Sequence, residues 1–201
     1  MSKHYDIFNG DADGILALLQ LRLAEPREAE LITGIKRDIS LVKRVDVSAL
    51  DEASVVTVLD ISMEKNNDAL SQVLETGASV FYADHHRAGE VPDSVNLDAH
   101  IDLDANICSA LIVDGLLEGQ FHLWAITAAY GDNLIRVADE LANKAGLSIE
   151  QACQLKDLGT LINYNGYGAT TDDLAFHPAD LFRALLQYQS PFDCLADEAS
   201  P

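Results

Sequence analysis

Apolar residues in the first half of the chain fall into short, nearly unbroken runs, whereas in the second half they recur at helical spacing. Residues 5–8 (YDIF), 31–35 (LITGI), 55–59 (VVTVL), 79–83 (SVFYA) and 94–98 (SVNLD) are β-prone stretches of strand length. The continuous, β-branched VVTVL has the pattern of a strand covered on both faces. After the first run, the tight loop NGDADG leads into ILALLQLRLAE, a helical segment. A second helix is expected from about 64 to 76, closed by Gly77. Strands alternating with helices through short connections predict an α/β fold, a parallel sheet flanked by helices.

From about residue 105 the period is helical throughout: ICSALIVDGLL, FHLWAITAAYGDN, IRVADELANKAG, SIEQACQLKDLGTLINY and PADLFRALLQY. The expected organisation is an α/β core over 1–133, a mainly helical continuation over 134–190 packing on it, and a polar tail over 191–201. There is no internal repeat and no low-complexity tract. A chain of 201 residues, 48% hydrophobic, can bury a proper core. No apolar run approaches the roughly 18 residues of a membrane-spanning helix. The N-terminus, MSKHYDIFNGDADG, shows no charged stretch followed by an apolar one, so no secretory signal is read. Cys108, Cys153 and Cys194 are odd in number and form no CxxC pair, which argues against a disulfide framework or zinc ribbon and fits a reducing cytoplasm.

The acids change the picture. Asp11 and Asp13 follow the first strand, Asp60 ends another, and Asp84, His85 and His86 end a third. In an open parallel sheet the carboxyl ends of the strands line one edge, where ligands bind. Several carboxylates gathered there would repel one another and take up protons, unless one or two divalent cations relieved the repulsion. Each piece also has a plainer explanation. Asp, Asn and Gly in NGDADG are turn formers, an Asp there or Asp60 could cap the following helix, and Asp132 in AAYGDN could be an exposed acid after a helix stop at Gly131. A calcium loop fails, because Ile15 to Gln20 supply no carboxylate where that pattern needs one. Consecutive residues leaving a strand point in different directions, so one histidine of ADHH can be a ligand while the next faces substrate. His4, His100, His122 and His177 sit in no such company and read as surface or core residues.

In order along the chain, NGDADG, a strand ending in LD, a strand ending in ADHH and a helix ending in GD resemble the blocks of the DHH phosphoesterase superfamily. This group includes RecJ-type exonucleases, oligoribonucleases and cyclic-dinucleotide phosphodiesterases, exopolyphosphatases and family II pyrophosphatases. The resemblance covers roughly residues 5–133, and ANICSALIVDGLL also sits where such proteins carry a similar element. It implies that Asp11, Asp13, Asp60, His85 and Asp132 bind manganese, with Asp60 bridging two ions. His86 would contact the scissile phosphate, and Asp84 would orient the neighbouring imidazole. Oxygen donors with one imidazole suit Mn²⁺, or alternatively Mg²⁺, better than zinc. Two departures stand out. Several branches carry His four residues before the first Asp, where this chain has Ile7, which removes a ligand from one ion. Most relatives continue into a Gly-rich second domain; no GGGH-like stretch occurs here, so the chain reads either as a minimal DHH protein or, the preferred expectation, as one whose PFDCLADEASP starts a linker to such a domain. NYNGYG at 163–168 reads as a helix C-terminal turn.

The net charge of −20, from 13 Lys and Arg against 33 acids, should repel a nucleic-acid backbone unless a local basic patch or bound metal reverses the field, which disfavours tracking of a long polyanion by this domain alone. The expected substrate is a phosphorylated small molecule or short oligonucleotide. Arg87, directly after ADHH, is a phosphate-contact candidate. The basic cluster KRDISLVKR at 36–44 reads as a solvated helix face that could also steer phosphate. The competing expectation is a non-catalytic, metal-dependent nucleotide-binding or regulatory module. No Ser–His–Asp or Cys–His arrangement is suggested, and an oligomer is left open.

Overall fold

The computed structural model describes residues 2–198; the last three residues of the expected tail lie outside them. Five parallel strands form one sheet in the order β2-β1-β3-β4-β5, with β1 His4–Phe8, β2 Glu30–Ile32, β3 Val55–Leu59, β4 Ser79–Asp84 and β5 Leu97–Ile101. Period-2 alternation splits their side chains cleanly. Phe8, Leu59 and Ala83 enter one core with helices α1 (Ala12–Ala24), α3 (Ser109–Leu116), α4 (His122–Gly131), α6 (Ile149–Asn165) and α7 (Pro178–Leu185). Tyr5, Ile7, Val56, Val58, Val80 and Tyr82 enter the other, covered by Val42, Val45 and helix α2 (Asn67–Glu75). Ile7 is fully buried in that second core. Helix α5 (Ile135–Lys144) returns against α4.

Helices α1 and α4 are buried nearly all round, because α1 lies between the sheet and α3, α4 and α6. That explains the dense apolar run ILALLQLRL. Arg22 on α1 reaches Asp6 in β1 at 2.7 and 2.6 Å and the Thr57 hydroxyl at 3.0 Å, a bidentate ion pair inside the core. No helix among the described residues is long and apolar enough to cross a membrane.

Several expected boundaries move. β2 stops at Ile32, where its pairing to Ile7 ends, and Thr33–Gly34–Ile35 leaves the sheet. The strand expected at 94–98 begins at Leu97, because Ser94 opens a turn closed by the Leu97 N–H and Val95 is fully exposed. The helix expected from 64 starts as a 3-10 turn at Met63–Lys65, with α2 proper from Asn67. Residues 191–196, expected to begin a tail, form helix α8 (Pro191–Ala196). Ser190 caps it, accepting from the Phe192 N–H, and Pro191 occupies the first turn, where a missing N–H costs nothing.

Candidate metal centre

Strands β1, β3 and β4 run in register and end at one level, so the residues that follow them meet. Two hydrogen bonds tie these exits together: Asn9 N–H donates to the Leu59 carbonyl at 3.2 Å, and Asp60 N–H to that of Ala83 at 3.1 Å. Asp60 takes a left-handed backbone, φ 57°, which a non-glycine residue adopts only when its surroundings hold it.

Asp11 caps α1, one oxygen accepting the Asp13 and Gly14 N–H groups at 3.1 Å. Asp13 lies in the first turn of α1 and meets the start of α3, whose Ser109 and Ala110 N–H groups each donate to its carboxylate at 2.8 Å. The free N–H groups of a helix N-terminus favour negative charge there. The Ser109 hydroxyl donates to Asp60 at 3.2 Å.

Asp132 arrives at the end of α4. The helix ends at Gly131 as expected, but the left-handed residue that closes it is Asn133: it takes φ 62°, its N–H returns to Tyr130 and that of Leu134 to Ala129. Gly131 has another purpose. A Cβ there would lie 2.5 Å from the Ala12 Cβ and 2.7 Å from the Gly159 carbonyl oxygen, so its bareness lets α4 close onto α1 and α6.

The result is a cluster around His85. Its Nε2 lies 3.4 Å from Asp60 Oδ1, 3.7 Å from Asp13 Oδ2 and 4.0 Å from Asp132 Oδ2. Donors bonded to one ion at about 2.0–2.2 Å are separated by about 3 to 4 Å, and the donor atoms that lie close to one another fall into two groups sharing His85, Asp13–His85–Asp132 and Asp60–His85–His86, either of which could hold a divalent cation. His86 Nδ1 lies 2.7 Å from Asp84 Oδ1; the other Asp84 oxygen is buried without a hydrogen-bond partner, so this carboxylate serves the imidazole.

Electrostatics bear out the strain of gathering these acids. Burial first, then Asp13, Asp11, Asp84 and Asp132, pushes Asp60 well above the usual carboxylate range. Burial and the charges of Asp13 and Asp11 push Asp132 up to about 6, against the pull of His85 and Lys36. The hydrogen bond to Asp84 outweighs burial and raises His86.

Sequence reasoning missed the inward role of Lys36. Residues 36–44 form a turn and a 3-10 segment at Val42–Arg44, so the expected helix face does not exist. Arg44 is spent on Asp38, while Lys36 turns inward. Its ammonium lies 2.6 Å from Asp11 Oδ2, 2.9 Å from Asn163 Oδ1, 3.8 Å from Asp132 and 5.8 Å from the centre of the Tyr167 ring. Burial opposes its charge, but the Asp11 carboxylate more than compensates and raises its pKa. Asn163 and Ser109 were also missed, although the segments NYNGYG and ANICSA were noticed. The adjoining crevice, about 350 Å³, is lined by Lys36, Asp60, Lys65, His85, His86 and Arg87 among others. A larger cavity of about 640 Å³ beside Arg22 and Phe182 contains none of the clustered donors.

No protein-family profile and no curated protein matches the sequence. Among solved structures, a DHH-domain protein described as belonging to a family of ribosomal proteins superposes with TM-score 0.58 at 14% identity, over 92% of this chain and 54% of that one. Exonuclease RecJ bound to manganese superposes with TM-score 0.53 at 20% identity, over 94% of this chain and 54% of RecJ. The chain thus spans about half the length of either protein. The fold of this chain is that of these DHH-domain and RecJ structures.

Proposed function

We propose that the chain is a metal-dependent phosphoesterase hydrolysing a phosphodiester or phosphoanhydride bond, with a nucleotide or short oligonucleotide as substrate. The observation that carries this reading is the convergence of Asp13, Asp60 and Asp132 on His85, at spacings of 3.4–4.0 Å. A divalent ion held there, Mn²⁺ or Mg²⁺, supplies Lewis-acid polarisation of a phosphoryl oxygen and of water. RecJ, in its manganese-bound form, supports Mn²⁺ as the first ion to try.

The remaining residues then have defined work. Asp84 accepts from His86 Nδ1, which fixes the ring and favours its charged form, so that His86 meets the phosphoryl group as a donor. Arg87 and Lys65 on the crevice wall offer cationic contacts to other phosphate oxygens. Ile39 lines the same crevice and gives an apolar surface against a base or sugar. Mn²⁺-dependent hydrolysis of a small phosphodiester tests this. Asp60→Asn is expected to abolish turnover and metal binding together, and His86→Ala to lower kcat by roughly 10²–10⁴-fold with the metal retained. Asp11, tied to Lys36, favours the second reading, a metal-dependent nucleotide-binding module; tight Mn²⁺ binding with no turnover of any phosphoester would establish it.

A further inference from the structure

We propose that Lys36 is a built-in cation standing in for one of two metal ions, so that the centre binds a single divalent ion around His85. This rests on the metal-centre reading above. The argument begins with Asp11, whose two oxygens are both engaged. One caps α1 through the Asp13 and Gly14 N–H groups. The other lies 2.6 Å from the Lys36 ammonium. Asp11 accordingly falls outside both donor groups that converge closely enough to share an ion, Asp60–His85–His86 and Asp13–His85–Asp132, and Asp60 and Asp13 both face His85 Nε2, whose single lone pair serves one ion at a time.

Lys36 is not a surface chain that happens to lean inward. Its backbone N–H donates to the Gly166 carbonyl at 2.9 Å, and its ammonium is held by Asn163 at 2.9 Å and faces the Tyr167 ring. These contacts come from the end of α6 and the loop after it, so a second part of the chain is shaped to hold the lysine. The loop lies directly on the first motif: a Cβ on Gly166 would be 3.1 Å from the Gly10 carbonyl oxygen and 3.4 Å from Asp11 Cα. The other side of the same position offers no donor, since Ile7 is buried in the opposite core. An ammonium beside Asp11 and Asp132 therefore neutralises charge that a second ion would otherwise balance.

The experiment counts ions. The purified full chain is titrated with Mn²⁺ by calorimetry, bound metal is measured directly after removal of excess, and electron paramagnetic resonance reports whether bound ions are exchange-coupled. Wild type is expected to bind one ion, uncoupled. Lys36→Met frees Asp11 and is expected to bind a second, coupled ion, while Lys36→Arg keeps the charge and stays at one. Circular dichroism establishes that each variant is folded, and Lys36→Gln serves if Lys36→Met is not. Two coupled ions in wild type, or one ion in a folded neutral variant, would overturn the inference and leave the phosphoesterase reading standing. No saturable Mn²⁺ binding in wild type would overturn both.

Discussion

Asp60 combines a left-handed backbone with burial beside Asp11, Asp13, Asp84 and Asp132, two costs that no structural role requires together. Strained, buried acids of this kind cluster at functional sites. Without metal, the strain has a measurable sign. Asp132 is raised from 3.8 to about 6 and Asp60 also upward, so over that interval the folded chain holds more protons than the unfolded one. Stability from these groups is therefore present at low pH and declines as the pH rises from about 4 to about 6. His86, raised by Asp84, adds a loss of stability as the pH rises beyond its ordinary 6.5. In chelator, Asp132→Asn should gain thermal stability over wild type at pH 7 and show little difference at pH 4, and saturating Mn²⁺ at pH 7 should reverse that order. Differential scanning calorimetry at the two pH values checks it. The convergence of Asp13, Asp60 and His85 was legible in the sequence because strands of plain type lead to one sheet edge, whereas Asp132 was singled out only through its company with the other motifs. The engagement of Lys36 was not legible, because it depends on how residues 33–38 leave the sheet and on Asn163, far away in sequence.

At the level of elements, the crossing of α4 and α6 is the tightest helix contact near the centre. A Cβ on Gly159 would stand 2.1 Å from the Thr127 carbonyl oxygen and 3.0 Å from the Gly131 nitrogen. Both are backbone atoms, so the helices themselves would have to part. Gly159→Ala should destabilise the fold by about 1–3 kcal/mol, despite the better helix propensity of alanine, and should weaken Mn²⁺ binding because Asp132 moves with α4. Urea denaturation and a metal titration of the same sample test both. This contact had no sequence signal beyond an isolated glycine in a helical stretch. The buried strand VVTVL was legible to the residue, since a strand covered on both faces leaves a continuous apolar run. β2, β5 and α8 were harder. An exposed Val95 imitated strand, and Pro191 reads alike whether it ends one element or opens the next.

Over the whole molecule, 33 acids face 13 Lys and Arg, and the excess is concentrated partly where repulsion cannot relax. Added monovalent salt should therefore raise the melting temperature of the metal-free protein at pH 7, and the rise should shrink once Mn²⁺ is bound; thermal melts over a salt series report it. Under the proposed function, the acidic balance would disfavour stable association with long DNA, and the local cations Lys65 and Arg87 would meet the phosphate of a short substrate. The bare flank of Gly131 bears on a different property. Because α4 rests directly on Ala12, the stretches that carry Asp13 and Asp132 cannot close further to suit a smaller ion. In the proposed centre the spacing of the donors would then have a lower limit set by helix packing, and an ion with short bonds would fill its remaining positions with water. Choice among cations of equal charge would thus depend in part on the packing of a glycine that touches none of them.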